Sequence, residues 1–357
     1  MHWYPEFIQT IPLLTGRKVT MSQELLVSAM LQAIEEELKQ RLYHIEKNIP
    51  ASFLDMLTYH LGWTGEGSGP NAAGKRIRPL LLLLITSACG HEWRTSLPAA
   101  ASIELVHNFS LIHDDIQDGS PTRRGRPAVW KKYGAPLAIN AGDALFSLAN
   151  LSLMDLSSFH GKNEIILSTQ IIHSACLHLT IGQHLDMTSM DNTEFSIEDY
   201  WVMIEEKTAS LFSSCAELGA LLGGANKKTI HFYRDFGKLI GIAFQIQDDY
   251  LGLWGTESIV GKPTTSDIEN KKKSFPIIYG LQKGGEFSRQ WKKYDQNKLD
   301  AAYMISLLEA DGIKAITRNT IKKITTQAVE TLLKAEPKDP SRNELFSIVK
   351  DLEGRVK

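Results

Sequence analysis

Two stretches of this chain, residues 137–156 and 197–222, carry apolar side chains over most of a helix circumference. A helix that is apolar on nearly every side must be surrounded by other helices, so such segments belong in the middle of a large bundle. Period-two alternation, the mark of half-buried strands, is scarce, and no Asn-Gly hairpin signal occurs. Helical spacing recurs instead. "SQELLVSAMLQAIEEELKQRLYHI", from Ser22, keeps its apolar residues three and four apart. Ser196 is placed to cap a helix, with Asp199 three residues on, and Gly223-Gly224 close the same segment. The chain is therefore expected to be all-α. We read a single helical bundle over residues 22–357, preceded by an extension, residues 1–21, although the length also permits two ordinary domains.

Three loops interrupt the helical pattern: Gly62–Lys75, which is glycine-rich, Gly119–Pro127, and Gly255–Pro276. Hydrophobic residues make up 43% and charged residues 22%, the balance of a globular protein. Lys+Arg is 39 and Asp+Glu is 41, a net charge of −2, which argues against nucleic acid as the main partner. A strongly anionic ligand would then need a local cationic patch. Cys89, Cys176 and Cys215 show no C-x-x-C spacing and read as free thiols of a reducing compartment. The N-terminus lacks the charged start and long apolar run of a signal peptide. The longest aliphatic run, Leu80–Ile85, falls far short of the ~20 residues that span a bilayer. The expectation is a cytoplasmic protein without a transmembrane segment.

The chemistry starts at "LIHDDIQDGSPTRRG". On a helix Asp114 and Asp118, four apart, share a face, and Asp115 lies about 100° away. Three carboxylates this close repel one another unless a cation sits between them. Oxygen-only donors favour a hard ion, Mg²⁺ over Zn²⁺. Alone, the triplet fits a solvated helix end equally well. A second cluster, "FQIQDDYLG", changes the balance. It too ends an apolar helix, and it puts Gln245, Asp248 and Asp249 within one turn. Two such clusters make facing carboxylate walls, and Mg²⁺ uses few protein carboxylates alongside phosphate oxygens, so the pair implies a phosphorylated ligand. Cations accompany them: Lys75, Arg76 and Arg78 in "AGKRIRP", Arg123 and Arg124 after the first cluster, Lys207 in "EEKTAS", and Lys262, Lys271, Lys272 and Lys273 around the third loop. They suffice for two separate diphosphates.

At this point the chain resembles the trans-polyprenyl diphosphate synthases, whose all-helical isoprenoid synthase fold implies a bundle with a central active-site cavity, from about Gly74 to Pro276. The resemblance rests on motifs in family order: "GKRIRP", "HDDIQD", "RRG", "GQHLD", "KTAS", "FQIQDD", Gly261-Lys262 and "KKSFP". It implies that Asp114 and Asp118 hold Mg²⁺ against an allylic diphosphate, with Asp115 in support, and that Asp248, beside Asp249, holds a third ion from the opposite wall. Arg123, Lys207 and Lys262 would contact the allylic diphosphate. Lys75, Arg78, His107 and Arg124 would bind isopentenyl diphosphate, the homoallylic substrate. Thr208 and Gln245 would sit near the developing cation, and Lys272 near the mouth of the site. A homodimer is expected, as is usual in the family. Two positions depart from the pattern: Gly252 stands where the second motif usually ends in a third aspartate, and Ala73 where glycine is usual.

Phe109 precedes Asp114 by five residues, roughly 7.5 Å deeper along the helix. Its ring is a candidate floor under a growing chain, although ordinary core packing explains it equally well. An aromatic at this depth, without an insertion in the first motif, resembles C20-forming members, so geranylgeranyl diphosphate is the first expected product and farnesyl diphosphate the second. A terpene cyclase of the same fold and a non-catalytic partner subunit are the other readings. The first would not need Lys75, Arg78 and His107, and the second often loses an acidic motif, whereas both Asp pairs are present. "GQHLD" is left open between a polar core network and cavity lining.

Overall fold

In the computed structural model, residues 21–189, 192, 194–255, 266–269, 271–293 and 300–354 are described. Lys262 and the aromatic-rich "HWYPEF" stretch lie outside them. The described elements are almost wholly helical. Helix α1 is Met21–Glu46, α2 Ala51–His60, α3 the short Pro70–Ala73, α4 Ile77–Ala88 and α5 Leu97–Gln117. A two-residue hairpin, β1 (Thr122–Arg123) and β2 (Arg126–Pro127), turns the chain into α6 (Val129–Tyr133), α7 (Ala135–Met154) and α8 (Lys162–Ser189). Then come α9 (Ile197–Ile204), α10 (Ser210–Leu222), α11 (Lys227–Trp254), α12 (Ser266–Glu269), α13 (Phe275–Lys283), α14 (Glu286–Lys292), α15 (Ala301–Ala310), α16 (Ile313–Lys334) and α17 (Ser341–Gly354).

Local chemistry accounts for the boundaries. The Ser196 and Asp199 side chains form the expected capping box at the start of α9. Asn226 caps α11 by accepting from the Thr229 amide (3.0 Å), and α11 stops at Gly255. The continuous helix expected over 197–222 is interrupted: residues Glu205–Ala209 form a π-turn between α9 and α10. Such a turn inserts a residue into the helical ladder without ending the helix, which hydrophobic periodicity over so short a stretch does not register. The hairpin was likewise unsignalled, because two-residue strands are too short to alternate.

One cluster of buried apolar residues runs from Met30 on α1 to Leu352 on α17. α5 and α10 sit inside it, with Ala99, Ala100, Ala101, Leu105, Phe212, Cys215 and Leu218 at or near zero exposure. A smaller cluster, including Ile268, Ile277, Phe287 and Leu308, packs under the C-terminal end of α11. Residues 135–158 and α8 are long and apolar enough to cross a membrane by length and composition. The uninterrupted run Leu80–Ile85 understated this, since these helices intersperse Ser, Thr and Asn among their apolar residues. α7 buries Ala138, Ala141, Leu145, Leu148, Ala149 and Leu153 in the core and exposes Leu137, Ile139, Leu151 and Met154. α8 exposes Ile166, Leu167, Leu177, Ile181 and Met187.

Candidate active site

The C-terminal end of α5 carries the first acidic cluster and that of α11 the second. In each Asp-Asp pair the two carboxylates have different surroundings. Asp115 is 2% exposed, and Arg123 donates two hydrogen bonds to its oxygens, both 2.7 Å. Asp114 is half-buried and Asp118 exposed. Burial is the main reason that the Asp114 carboxyl is pushed up to about 6; Lys207 pulls the other way, and Asp118 adds to the rise. On α11 Asp249 is 1% exposed, whereas Asp248 is exposed. Asp249 accepts from the Tyr200 hydroxyl (2.7 Å), the Phe275 amide (2.9 Å), the Gln245 amide group (3.0 Å) and, at 3.4 Å, Lys272. Tyr200, which the sequence did not single out, is wholly buried beneath it.

Polar contacts along α8 and the π-turn link the two walls. Gln183 donates to Asp118 (3.3 Å), and Lys207 pairs with Asp186 at 2.5 Å. The Thr208 hydroxyl donates to Gln245 Oε1 (2.7 Å), and Gln245 passes the connection to Asp249. "GQHLD" thus contributes Gln183 and Asp186 to the site, while His184 is exposed. Gly182 is what allows α8 this close: a Cβ there would lie 2.1 Å from the Lys207 amide nitrogen. The π-turn sets Lys207 and Thr208 in place, in keeping with the tendency of such turns to mark functional positions.

The second cationic group lies where the glycine-rich loop meets α5. Arg78 donates to His107 Nε2 (3.3 Å) and stacks over the Phe212 ring at 4.4 Å. An imidazole that accepts from a guanidinium is neutral on that nitrogen. Burial first, then Arg78 and Arg124, hold the His107 imidazole well below its ordinary pKa. Arg124 donates to the Ala72 and Ala73 carbonyls (2.9 and 2.6 Å), and a Cβ at Gly74 would meet its guanidinium at 2.7 Å. Burial pushes the Arg124 guanidinium down to about 10. Lys75 is exposed at the loop's end. The other arginines here hold the loop itself. Arg76 is buried between Glu35 (2.6 Å) and Glu104 (2.7 Å), and Arg126 binds the carbonyls of Tyr59, Thr64 and Glu66. A cavity lined by His60, Ala72, Asp115, Arg123 and Arg124 lies between this group and the first acidic cluster.

Deeper on α5, Phe109 meets Phe146 of α7 edge to face, with ring centroids 5.1 Å apart, and His113 at 5.8 Å. His113 turns away from the aspartates toward the Ile139 carbonyl (3.3 Å).

Among the described residues no three carboxylate, imidazole or thiolate groups converge tightly enough to hold a metal ion alone. That suits an ion which takes one or two carboxylates and completes its shell with water and phosphate.

Residues 69–309 match the family described as Polyprenyl synthetase. The chain belongs to that family. It is 40% identical over 237 residues to a (2E,6E)-farnesyl diphosphate synthase of Mycobacterium tuberculosis, a match covering 66% of this chain and 65% of that protein. To a geranylgeranyl diphosphate synthase of the same organism it is 35% identical over 260 residues, 72% of this chain and 73% of the other. Among solved structures, the geranylgeranyl pyrophosphate synthetase of Pyrococcus horikoshii superposes with a TM-score of 0.83 at 31% identity, covering 93% of this chain and 98% of that one. The geranylgeranyl pyrophosphate synthase of Corynebacterium glutamicum, complexed with isoprenyl diphosphate and magnesium, gives 0.80 at 26% identity, over 91% and 98%. The all-α isoprenyl synthase architecture of this polyprenyl synthetase family member is thus shared along nearly its whole length.

Proposed function

We propose that the chain is a short-chain trans-prenyltransferase that condenses isopentenyl diphosphate with an allylic diphosphate. The observation that carries this is the presence of two separate cationic groups around one acidic wall. Lys207 acts on the Asp114 carboxyl, while Arg78, Arg124 and neutral His107 gather about two turns further back along α5. An enzyme with one diphosphate substrate needs only the first group.

In this reading Asp114, Asp118 and Asp248 hold Mg²⁺, three ions with the diphosphate bound, and the metal neutralises the leaving group's charge. Asp115 and Asp249 serve as anchors for the walls, not as direct ligands. Lys207 and Arg123 bind the allylic diphosphate as fixed charges, and Lys262 is assigned there by resemblance alone. Lys75, Arg78, His107 and Arg124 bind the isopentenyl diphosphate. Thr208 and Gln245 present oxygens toward the allylic cation left by ionisation. Lys272 holds the mouth of the second wall. The double bond of isopentenyl diphosphate attacks the cation, and a proton leaves, taken up by the departing diphosphate. Apolar walls keep water from the cation meanwhile.

The Phe109–Phe146 stack supports a floor at short-chain depth, and we assign geranylgeranyl diphosphate as the product ahead of farnesyl diphosphate. We also take residues 22–357 as one domain following residues 1–21, supported by the core that continues from Met30 to Leu352. The exposed apolar faces of α7 and α8 support a homodimer, and the free thiols support the cytoplasm. Light scattering should give twice the chain mass.

The test is a product assay with Mg²⁺, labelled isopentenyl diphosphate, and dimethylallyl, geranyl or farnesyl diphosphate in turn. A linear C20 or C15 alcohol after dephosphorylation is expected. A hydrocarbon formed without isopentenyl diphosphate, or silence with every primer, overturns the assignment. Phe109→Ala should lengthen the product; an unchanged length removes the floor.

A further inference from the structure

α9 and α10 each lay an aromatic side chain on α11. The Tyr200 hydroxyl donates to Asp249 (2.7 Å), and the Phe212 ring meets Phe244 with centroids 5.3 Å apart. Tyr200 and Phe212 are twelve residues apart. A continuous α-helix would point them about 120° apart, and the one residue that the π-turn inserts brings them to within about 20°. Packing on both flanks therefore keeps the insertion.

The wider turn needs room, and a glycine supplies it on each side. A Cβ on Gly182 of α8 would lie 2.1 Å from the Lys207 amide nitrogen, and one on Gly241 of α11 would lie 2.5 Å from Cα of Ala209. Both contacts are with backbone, which cannot swing aside. The turn's two glutamates tie it to the same helices: Lys238 of α11 pairs with Glu205, and His178 of α8 meets Glu206 at 2.6 Å. The next two residues face the site, Lys207 against Asp186 (2.5 Å) and Thr208 against Gln245 (2.7 Å).

The insertion disturbs the backbone ladder. The Ser210 N–H reaches back five residues to the Glu205 carbonyl. In an α-helix it would donate four residues back, to Glu206. The Glu206 carbonyl accepts instead from the Ser210 hydroxyl (2.5 Å). Glu206 and Ser210 are half-buried, and a carbonyl left short of a donor there would loosen the turn.

We propose that Ser210 is a positioning residue for the reaction: its hydroxyl takes the place of the amide that the π-turn draws away from the Glu206 carbonyl, and so holds Lys207 and Thr208 in their aim. The inference rests on the two-diphosphate reading, in which Lys207 binds the allylic diphosphate and Thr208 faces the cation.

The experiment compares Ser210→Ala with Ser210→Thr by two readouts. One is hydrogen–deuterium exchange of the peptide spanning residues 205–211, which needs no turnover. The other is steady-state kinetics with each substrate varied in turn. Ser210→Ala should speed exchange in that peptide and raise KM for the allylic diphosphate about tenfold, the scale of one weakened hydrogen bond to a charged group. KM for isopentenyl diphosphate should hold, because Arg78, His107 and Arg124 lie on other elements. Ser210→Thr keeps the hydroxyl and should restore both readouts. Faster exchange with unchanged kinetics would make Ser210 a local stabiliser and overturn the proposal. Unchanged exchange, an equal rise in both KM values, or a Thr variant as impaired as the Ala variant would overturn it too. Failure of the unsubstituted protein to join the two diphosphates would overturn the functional reading itself, and the role of Ser210 with it.

Discussion

The two acidic walls use the same device with different materials. In each, the second aspartate of the pair is withdrawn into protein: Asp115 at 2% exposure and Asp249 at 1%. The first aspartate is left toward the cleft. On α5 Arg123, whose side chain is 28% exposed, holds the withdrawn carboxylate as a charged, bidentate partner. On α11 it is held by a buried hydroxyl, a backbone amide, a side-chain amide and one ammonium. The first wall is anchored by a hairpin residue eight positions further along the chain; the second ties α9, α11 and the start of α13 together. In the proposed reading the difference teaches that a carboxylate pair can divide labour, one member aiming the wall and the other meeting the ligand.

The strongest way to break that division is to neutralise the outer members. Asp114→Asn and Asp248→Asn should each lower kcat by about 10²–10³-fold, the scale of losing one preorganised electrostatic partner. Neither should lower the unfolding temperature. Equal loss of stability in these variants would end the distinction.

Next in size is Asp249→Ala. It leaves the Tyr200 hydroxyl, the Phe275 amide and Lys272 without their shared acceptor, and should cost about 3–5 kcal/mol in urea unfolding, the scale of breaking a buried charged group's contacts. Asp115→Ala should cost less, about 2–3 kcal/mol, because the released Arg123 guanidinium can regain water. A reversed order would mean that the single bidentate pair is the stronger anchor.

The smallest effect is on pH. The Asp114 carboxyl sits at about 6 in the folded protein, above its ordinary value. Between the two values the folded state keeps a proton that the unfolded chain has released, so stability falls as pH rises through that window and levels off above it. The stability difference between the metal-free protein and Asp114→Asn should therefore open between about pH 4 and 6, reaching about 1–2 kcal/mol in favour of the variant. A difference that stays flat from pH 4 to 8 would show that the carboxyl is not held up by burial.

The helices were legible because their apolar residues recur at helical spacing, and the capping box at Ser196 was legible because it is local. Asp114, Asp118 and Asp248 stood out as candidates in the chain, as did Lys207, Arg78 and His107; that Arg78 donates to His107 only the structure shows. The roles within each Asp-Asp pair were not legible. Tyr200 looks like an ordinary core aromatic until Asp249 is found 2.7 Å from its hydroxyl. Gln183 and Asp186 remained ambiguous until the π-turn brought Lys207 against α8. Arg126 reads as one more loop cation, although it binds two carbonyls of the glycine-rich loop, Thr64 and Glu66, and that of Tyr59 on α2.

By itself the sequence determined that this chain is a helical bundle with two carboxylate-bearing helix ends and two sets of cations. Both follow from repeats of three and four residues, which local geometry enforces wherever the chain goes. The tertiary structure decided which acid of each pair points inward, because neighbours on a helix differ by about 100° and only the packing partners choose between them. It also brought the Asp267 carboxylate against Gly252, fifteen residues away in the chain. Contact between residues on different elements depends on how the helices pack, and no local period in the chain encodes it.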